Sequence, residues 1–197
     1  QMKGSVSRNL SAAQEYLAQG EPGSAIVHFG RVLHKEPTNQ EAHEGRIAGL
    51  LQLKPVTIQT ARTMYREYLT ALVQHSQFTP ADEGLAMSLL DEAYFAAANS
   101  DEEFFWQLLK SQSDEMRLRF ASGTPVYNRA TLMLGLSELR LGQSNLLGEV
   151  NQAGLVRFPG EDALDEYLTL EPDSDQGLAQ LAFGRMAVAR RLGLKEL

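Results

Sequence analysis

The chain of 197 residues is 43% hydrophobic and 22% charged, with a formal net charge of −7 and no cysteine. The hydrophobic fraction excludes a wholly disordered chain, and the lack of cysteine excludes disulfide scaffolds, thiolate zinc sites and cysteine nucleophiles. The acidic balance argues against a nucleic-acid partner, because binding to phosphates needs a concentrated face of Lys and Arg. At this length we expect one sizeable core or one elongated array, rather than two large domains.

The apolar runs and the first residues bear on where the protein resides. No apolar run approaches the roughly 20 residues that a membrane-spanning helix needs. The opening stretch QMKGSVSRNL lacks the apolar segment of a signal peptide. We therefore expect a soluble protein without a membrane span and without a signal peptide in this sequence, and the compartment stays open.

Helix start signals follow one another along the chain. Thr38-Asn39-Gln40-Glu41 and Ser100-Asp101-Glu102-Glu103 are capping boxes, in which the first side chain caps a helix and the glutamate reaches back. Thr79-Pro80 and Thr124-Pro125 each join an N-cap to a proline at the first helical position. Amphipathic runs of about 12 to 20 residues separate these signals, without a convincing alternating strand. The sequence predicts an all-α chain of about nine or ten helices.

The stretch YLAQGEPGSAIVHFGRVLHKEPTN is predicted to form two antiparallel helices. Gly20 ends the first helix, as glycine does where the chain needs a positive φ angle, and Pro22 opens the second. Ala25 is small, so that the two helices approach each other closely. Tyr16 and Phe29 then fill the space between the helices. The stretch is therefore a compact helical hairpin.

This spacing resembles the tetratricopeptide repeat (TPR), a helix-turn-helix unit of about 34 residues. The residues that carry the resemblance are Tyr16, Gly20, Ala25, Phe29, Leu33 and Pro37. It is clearest over residues 7–39 and partial over 40–73 and 127–160. In the first partial repeat, the second-helix pattern recurs in Ala61, Tyr65, Tyr68 and Leu69. In the second, Gly142 and Pro159 are spaced as Gly20 and Pro37 are.

The resemblance implies a TPR-like α-solenoid, a single helical-repeat domain over 1–197 in which antiparallel hairpins stack in a row. The predicted hairpins cover about 5–38, 39–75, 79–121 and 124–159, and a C-terminal cap covers 161–197. The alternative is an irregular helical bundle that contains one hairpin of this kind.

The sequence lacks the residue patterns that usually carry chemistry. His28 and His34 are six positions apart and His43 and His75 are isolated, so none forms the i, i+3 or i, i+4 pair that a helical metal site needs. No nucleophile motif, phosphate loop or dinucleotide fingerprint is present. We therefore expect no catalytic residue, no metal and no cofactor. The alternative is an enzyme that uses carboxylates between helices, with Asp91, Glu92 and Glu138 as the candidates.

The run Phe104-Phe105-Trp106 is the densest aromatic cluster. Three consecutive residues cannot all lie on one helix face, so one of the three is expected to be partly exposed or covered by a neighbour. Core packing is the favoured interpretation of this run, and a binding surface is the alternative.

The TPR resemblance implies a concave groove, lined mainly by the first helix of each hairpin, that receives a peptide or a partner helix. The expected lining residues are Leu10, Gln14, Leu17, Glu44, Ala48, Leu51, Arg129, Leu132, Leu136 and Leu139. This lining is largely apolar, which suits an amphipathic helix or an extended apolar segment. The function expected from the resemblance is a non-enzymatic protein-interaction module or scaffold, serving the assembly, secretion or chaperoning of a larger complex. Self-association, with a second copy or the chain's own terminal helix in the groove, is the alternative.

Overall fold

The computed structural model describes residues 2–53, 57, 59–60, 63–64, 66–67, 70, 80–100, 102–142 and 157–192. The helices in these ranges are α1 (Met2–Ala18), α2 (Pro22–Lys35), α3 (Gln40–Gln52), α4 (Pro80–Ala98), α5 (Glu103–Arg119), α6 (Pro125–Leu141), α7 (Glu161–Leu170) and α8 (Asp175–Arg191). No β-strand occurs in the described ranges, so the all-α prediction is confirmed there. Among the described helices, none combines the length and the apolar character needed to cross a membrane.

The chain divides into two compact units, an N-terminal unit (Gln1–Glu92) and a C-terminal unit (Ala93–Leu197). Within the N-terminal unit, α1 packs on α2 and α2 packs on α3. Within the C-terminal unit, α5 packs on α6, α6 on α7, and α7 on α8. Packing between consecutive helices is thus the rule in both units.

The hairpin predicted in the N-terminal unit has the expected internal arrangement. Gly20 adopts a φ of +74° in the turn, and α2 begins at Pro22. Ala25 and Phe29 are almost completely buried between the helices. The Tyr16 ring stacks on His28, with ring centroids 5.4 Å apart. These local predictions are confirmed because the turn residues restrict the backbone independently of the rest of the fold.

Of the helix caps predicted at Thr124 and Thr38, the first is confirmed and the second is not. Thr124 caps α6 as predicted, and its hydroxyl oxygen accepts a hydrogen bond from the Tyr127 amide at 3.3 Å. The cap predicted at Thr38 is wrong by one residue. Asn39 is the N-cap of α3, and its side-chain oxygen accepts from the Ala42 amide at 2.9 Å. Asn and Thr both favour the N-cap position, Asn more strongly. Two neighbouring candidates therefore differ little in the free energy of capping.

α6 is the central helix of the C-terminal unit and contacts α5, α7 and α8. Every residue from Ala130 to Ser137 is buried, as expected of a helix with neighbours on several sides. In the aromatic run of α5, Phe105 is buried, whereas Phe104 and Trp106 are half-buried. The prediction that the run is partly exposed is therefore confirmed.

A polar network ties α5, α6 and α7 together. Arg117 on α5 and the Tyr127 hydroxyl on α6 donate hydrogen bonds to the two carboxylate oxygens of Glu166 on α7, at 2.5 Å and 2.6 Å. Burial lowers the pKa of Arg117, but hydrogen bonds with Tyr127 and Glu166 and the negative charge of Glu166 outweigh burial, so the net pKa is raised. Nearby, the Asn128 side-chain amide donates to Glu171 at 2.8 Å. These bonds fix the orientation of α7 on the α5–α6 pair.

Several predicted features fall outside the described residues. The repeat signals Ala61, Tyr65, Tyr68 and Leu69, together with Thr79 and His75, belong to this group. Of the predicted hairpin at 124–159, the first helix is described as α6, and Pro159 precedes α7. The predicted cap at 161–197 contains α7 and α8.

Candidate functional site

The groove residues predicted on α1 have different surroundings. Leu10 and Leu17 are half-buried and pack against the apolar core of the α1–α2 hairpin. Gln14 lies between them, is exposed, and donates a hydrogen bond from its amide to the Glu41 carboxylate on α3. This bond joins α1 to α3 across the face where a groove was predicted.

The groove residues predicted on α3 are all half-buried, namely Glu44, Ala48 and Leu51. Glu44 accepts a hydrogen bond from the Gln40 amide at 2.8 Å. The two histidines nearest to this face have structural partners. His43 Nε2 lies 2.9 Å from the Pro37 carbonyl oxygen, and His28 Nδ1 lies 2.9 Å from Asn9 Oδ1. No group of potential metal ligands forms a cluster among the described residues.

The groove residues predicted on α6 fall into the core or next to it. Leu132 is buried in the interior of the C-terminal unit, and Arg129 is half-buried. Leu136 and Leu139 are also buried, but they border a cavity. These two leucines are the predicted groove residues that the structure brings together at a concave site.

This cavity has a volume of about 550 Å³ and lies in the C-terminal unit. It is formed by the last turn of α4, the beginning of α5, the end of α6 and the middle of α8. The described residues that line it are Tyr94, Ala97, Ala98, Asn99, Ser100, Trp106, Leu136, Leu139, Arg140, Gln180 and Phe183. Its size is in the range of about 300–1,000 Å³ that is usual for ligand pockets.

The cavity contains an aromatic pair with unused hydrogen-bonding groups. Tyr94 and Trp106 meet edge to face, with centroids 6.4 Å apart and an interplanar angle of 77°. Within the described part of the chain, the Tyr94 hydroxyl, the Trp106 indole N–H and the Gln180 amide have no hydrogen-bond partner. Polar groups at a concave surface are costly to leave unpaired once water is displaced. They therefore favour an occupant that supplies acceptors and donors of its own.

The rim of the cavity includes the start of α5. The Ser100 hydroxyl oxygen accepts a hydrogen bond from the Glu102 amide at 3.0 Å, and Glu102 rather than Ser100 is the N-cap of α5. The capping box predicted at Ser100 is therefore wrong, because the N-cap lies two residues later and the Glu102 side chain makes no capping hydrogen bond. Ser100 caps a turn that precedes the helix, which holds this side chain at the cavity.

The carboxylates considered for an enzymatic site do not line the cavity. Glu138 forms an ion pair with Lys110 at 2.9 Å. Burial raises the pKa of Asp114 above its ordinary value; Glu138 adds to this rise, and the cation of Lys110 opposes it. Asp91 is exposed and Glu92 is half-buried on α4. None of the described residues that line the cavity is a carboxylate.

Sequence reasoning missed Tyr94, Gln180 and Phe183 as site residues. They come from helices distant in sequence. Each of them fits the ordinary pattern of an amphipathic helix, so none stands out by itself. Trp106 belongs to the aromatic run Phe104-Phe105-Trp106, and that run is the signal in the sequence for this site. The described residues form an all-α fold with packed consecutive helices and a mixed polar and aromatic recess. No model of a known protein family matches the chain, and no curated protein matches it.

Proposed function

We propose that the protein is a non-enzymatic interaction module that binds a peptide segment of a partner protein in the cavity of the C-terminal unit. The observation that carries this proposal is the combination of apolar lining and unpaired polar groups at one recess. Leu136, Leu139 and Phe183 supply the apolar lining, and Trp106 and Gln180 supply the polar groups.

The chemistry of a peptide matches this combination. An apolar side chain that enters the recess is stabilised by about 25 cal/mol for each Å² of apolar area removed from water. The adjoining peptide carbonyl oxygens can accept hydrogen bonds from the Trp106 indole and the Gln180 amide. The cost of ordering a flexible peptide reduces the net gain, so we expect binding of moderate affinity.

A TPR-like relationship is part of the same proposal. The features that support it are the succession α1–α2–α3, with packing between neighbours, and the Gly20 turn. The small Ala25 beside Phe29 in the hairpin supports it as well. Helical hairpins of this kind serve as scaffolds for peptides or partner helices, and the cavity of the C-terminal unit is where we place such a ligand.

Blocking the cavity is expected to abolish peptide binding. Ala98 lines the cavity but is itself exposed at the end of α4, so Ala98→Arg fills the entrance without disturbing the core. Peptides are selected on the wild-type protein from a random library displayed on phage. Trp106 is the single tryptophan of the chain, so its fluorescence reports occupancy directly. We expect selected peptides to change this fluorescence, and Ala98→Arg to weaken binding by about tenfold or more, which corresponds to about 1.4 kcal/mol.

The matched control is Ala121→Arg, which adds the same side chain at an exposed loop position outside the cavity lining. This control is expected to bind the selected peptides as the wild type does. Failure to select any peptide, or equal binding by the two arginine variants, would refute the proposal.

A further inference from the structure

The second feature that stands out in the C-terminal unit is the exposed face of α8. Phe183 and Met186, both large and apolar, are 46% and 50% exposed next to each other on this face. Ala179 and Ala182 lie on the same face and are exposed as well. Asp175 and Arg190, both exposed, stand at its two ends. We call this face the α8 seam, formed by Asp175, Ala179, Ala182, Phe183, Met186 and Arg190.

The opposite face of α8 attaches it to the unit. Gly177 lies so close to Tyr167 that a methyl group there would approach the tyrosine ring to 2.9 Å. Val188 is buried on the same side, and Arg185 donates hydrogen bonds to Glu161 at 3.0 Å and to Asp165 at 3.4 Å. One face of α8 therefore packs within the unit, whereas the α8 seam is exposed among the described residues.

The spacing of the seam is that of a helix-pairing surface. Asp175, Ala179, Ala182 and Met186 follow one another at steps of four, three and four residues, and Arg190 follows after four more. At 3.6 residues per turn, such steps place all of them on one stripe along the helix. The two small residues, Ala179 and Ala182, leave room for large side chains of a partner helix, and packed helices lie about 8–10 Å apart.

We propose that the α8 seam binds the same seam of a second copy of this chain, with the two helices antiparallel. A twofold axis between Ala182 and Phe183 brings Ala182 of each copy opposite Phe183 of the other. The same axis brings Ala179 opposite Met186, so each contact joins a small side chain to a large one. Every contact is made twice, as an interface between identical copies requires.

The charges at the ends of the seam favour this orientation. In the antiparallel register, Asp175 of each copy lies opposite Arg190 of the other. Within the described residues, neither Asp175 nor Arg190 takes part in an ion pair. A parallel pair would instead oppose aspartate to aspartate and arginine to arginine. Charge complementarity thus selects both the partner, a second copy, and its direction.

A single helix pair buries less than the roughly 1,600 Å² of a standard interface. We therefore expect a reversible dimer with a dissociation constant on the order of 10 µM. Phe183 belongs to the seam and also lines the cavity, but the charge exchange tests this inference independently of the proposed peptide site, because Asp175 and Arg190 do not line the cavity.

A charge exchange tests the pairing. Sedimentation equilibrium on the full chain, at about 1 to 200 µM, is expected to show a monomer–dimer equilibrium for the wild type. Asp175→Arg and Arg190→Asp each create like-charge repulsion at both ends and are expected to weaken association by about tenfold or more. The double variant D175R/R190D restores opposite charges and is expected to return to within about threefold of the wild type.

Two further variants test whether position matters: one changes a charge outside the seam, and the other places a charge within it. Asp173→Arg changes the same charge at an exposed position before α8 and is expected to leave the dissociation constant unchanged. Met186→Glu places a charge in the middle of the seam and is expected to abolish the dimer, with circular dichroism verifying that the variant remains folded. A wild type that stays monomeric up to the highest concentration overturns the proposal. So does a double variant that is as weak as the two single variants.

Discussion

Phe29→Ala is expected to lower the free energy of unfolding of the N-terminal unit by about 3–5 kcal/mol. The Phe29 ring is 1% exposed and belongs to the core cluster of the α1–α2 hairpin, together with Ala25 and Val32. Its other side meets the backbone of α3 at Gly45, where a methyl group would overlap the ring. Truncation leaves a cavity that touches three helices and that close packing cannot easily refill.

Urea denaturation followed by far-ultraviolet circular dichroism measures this effect. Val27→Ala is the matched control, because Val27 lies two residues earlier on α2 and is 53% exposed. A surface substitution of this kind is expected to change the free energy of unfolding by no more than about 0.5 kcal/mol. Similar shifts of the unfolding midpoint in both variants would contradict the assignment of Phe29 to the core.

Gly160→Ala is expected to lower the free energy of unfolding of the C-terminal unit by about 2–5 kcal/mol. Gly160 precedes α7 with a φ of +89°, a conformation that costs other residues about 1–2 kcal/mol. A methyl group at this position would also overlap the carbonyl oxygen of Gly135 on α6. Relieving such an overlap by moving the backbone costs a further amount of about 1–3 kcal/mol.

Gly123→Ala separates the cost of the positive φ angle from the cost of the steric overlap. Gly123 has nearly the same backbone angle, with a φ of +86°, but no atom beyond its chain neighbours lies within 4 Å of where its methyl group would be. This variant is expected to lose only the conformational cost of about 1–2 kcal/mol. Urea denaturation followed by the fluorescence of Trp106 measures both variants in the same unit. An equal loss in the two variants would show that α6 and the start of α7 are not in the close contact described here.

The interaction surfaces proposed for the C-terminal unit depend on the packing of α7 against its neighbours. Leu136 and Leu139 reach the cavity from α6, whereas Gln180 and Phe183 reach it from α8. The close approach at Gly160 and the network around Glu166 hold α7 on α6, and Arg185 joins α8 to α7 through Glu161. Substitutions that loosen α7 are therefore a poor way to probe the cavity, and exposed positions such as Ala98 are better suited.

The site predicted from the sequence and the site in the structure share Leu136 and Leu139. The TPR resemblance implied that these leucines line a groove, and the structure places them beside a recess. Tyr94, Trp106 and Gln180 complete that recess from three other helices. Periodicity describes one helix at a time, so it gives no information on which helices meet at a common site.

The features that the sequence determined by itself are local ones. Gly20, Pro22 and Thr124 mark a turn and two helix starts, because each restricts the backbone or pairs with an amide within a few residues. Only the tertiary structure decided which apolar residues are covered. Leu132 and Met186 have comparable positions in amphipathic helices, yet Leu132 is buried and Met186 is 50% exposed. The physical reason is that hydrophobic burial depends on the presence of a neighbouring helix, and that presence is a property of the whole fold.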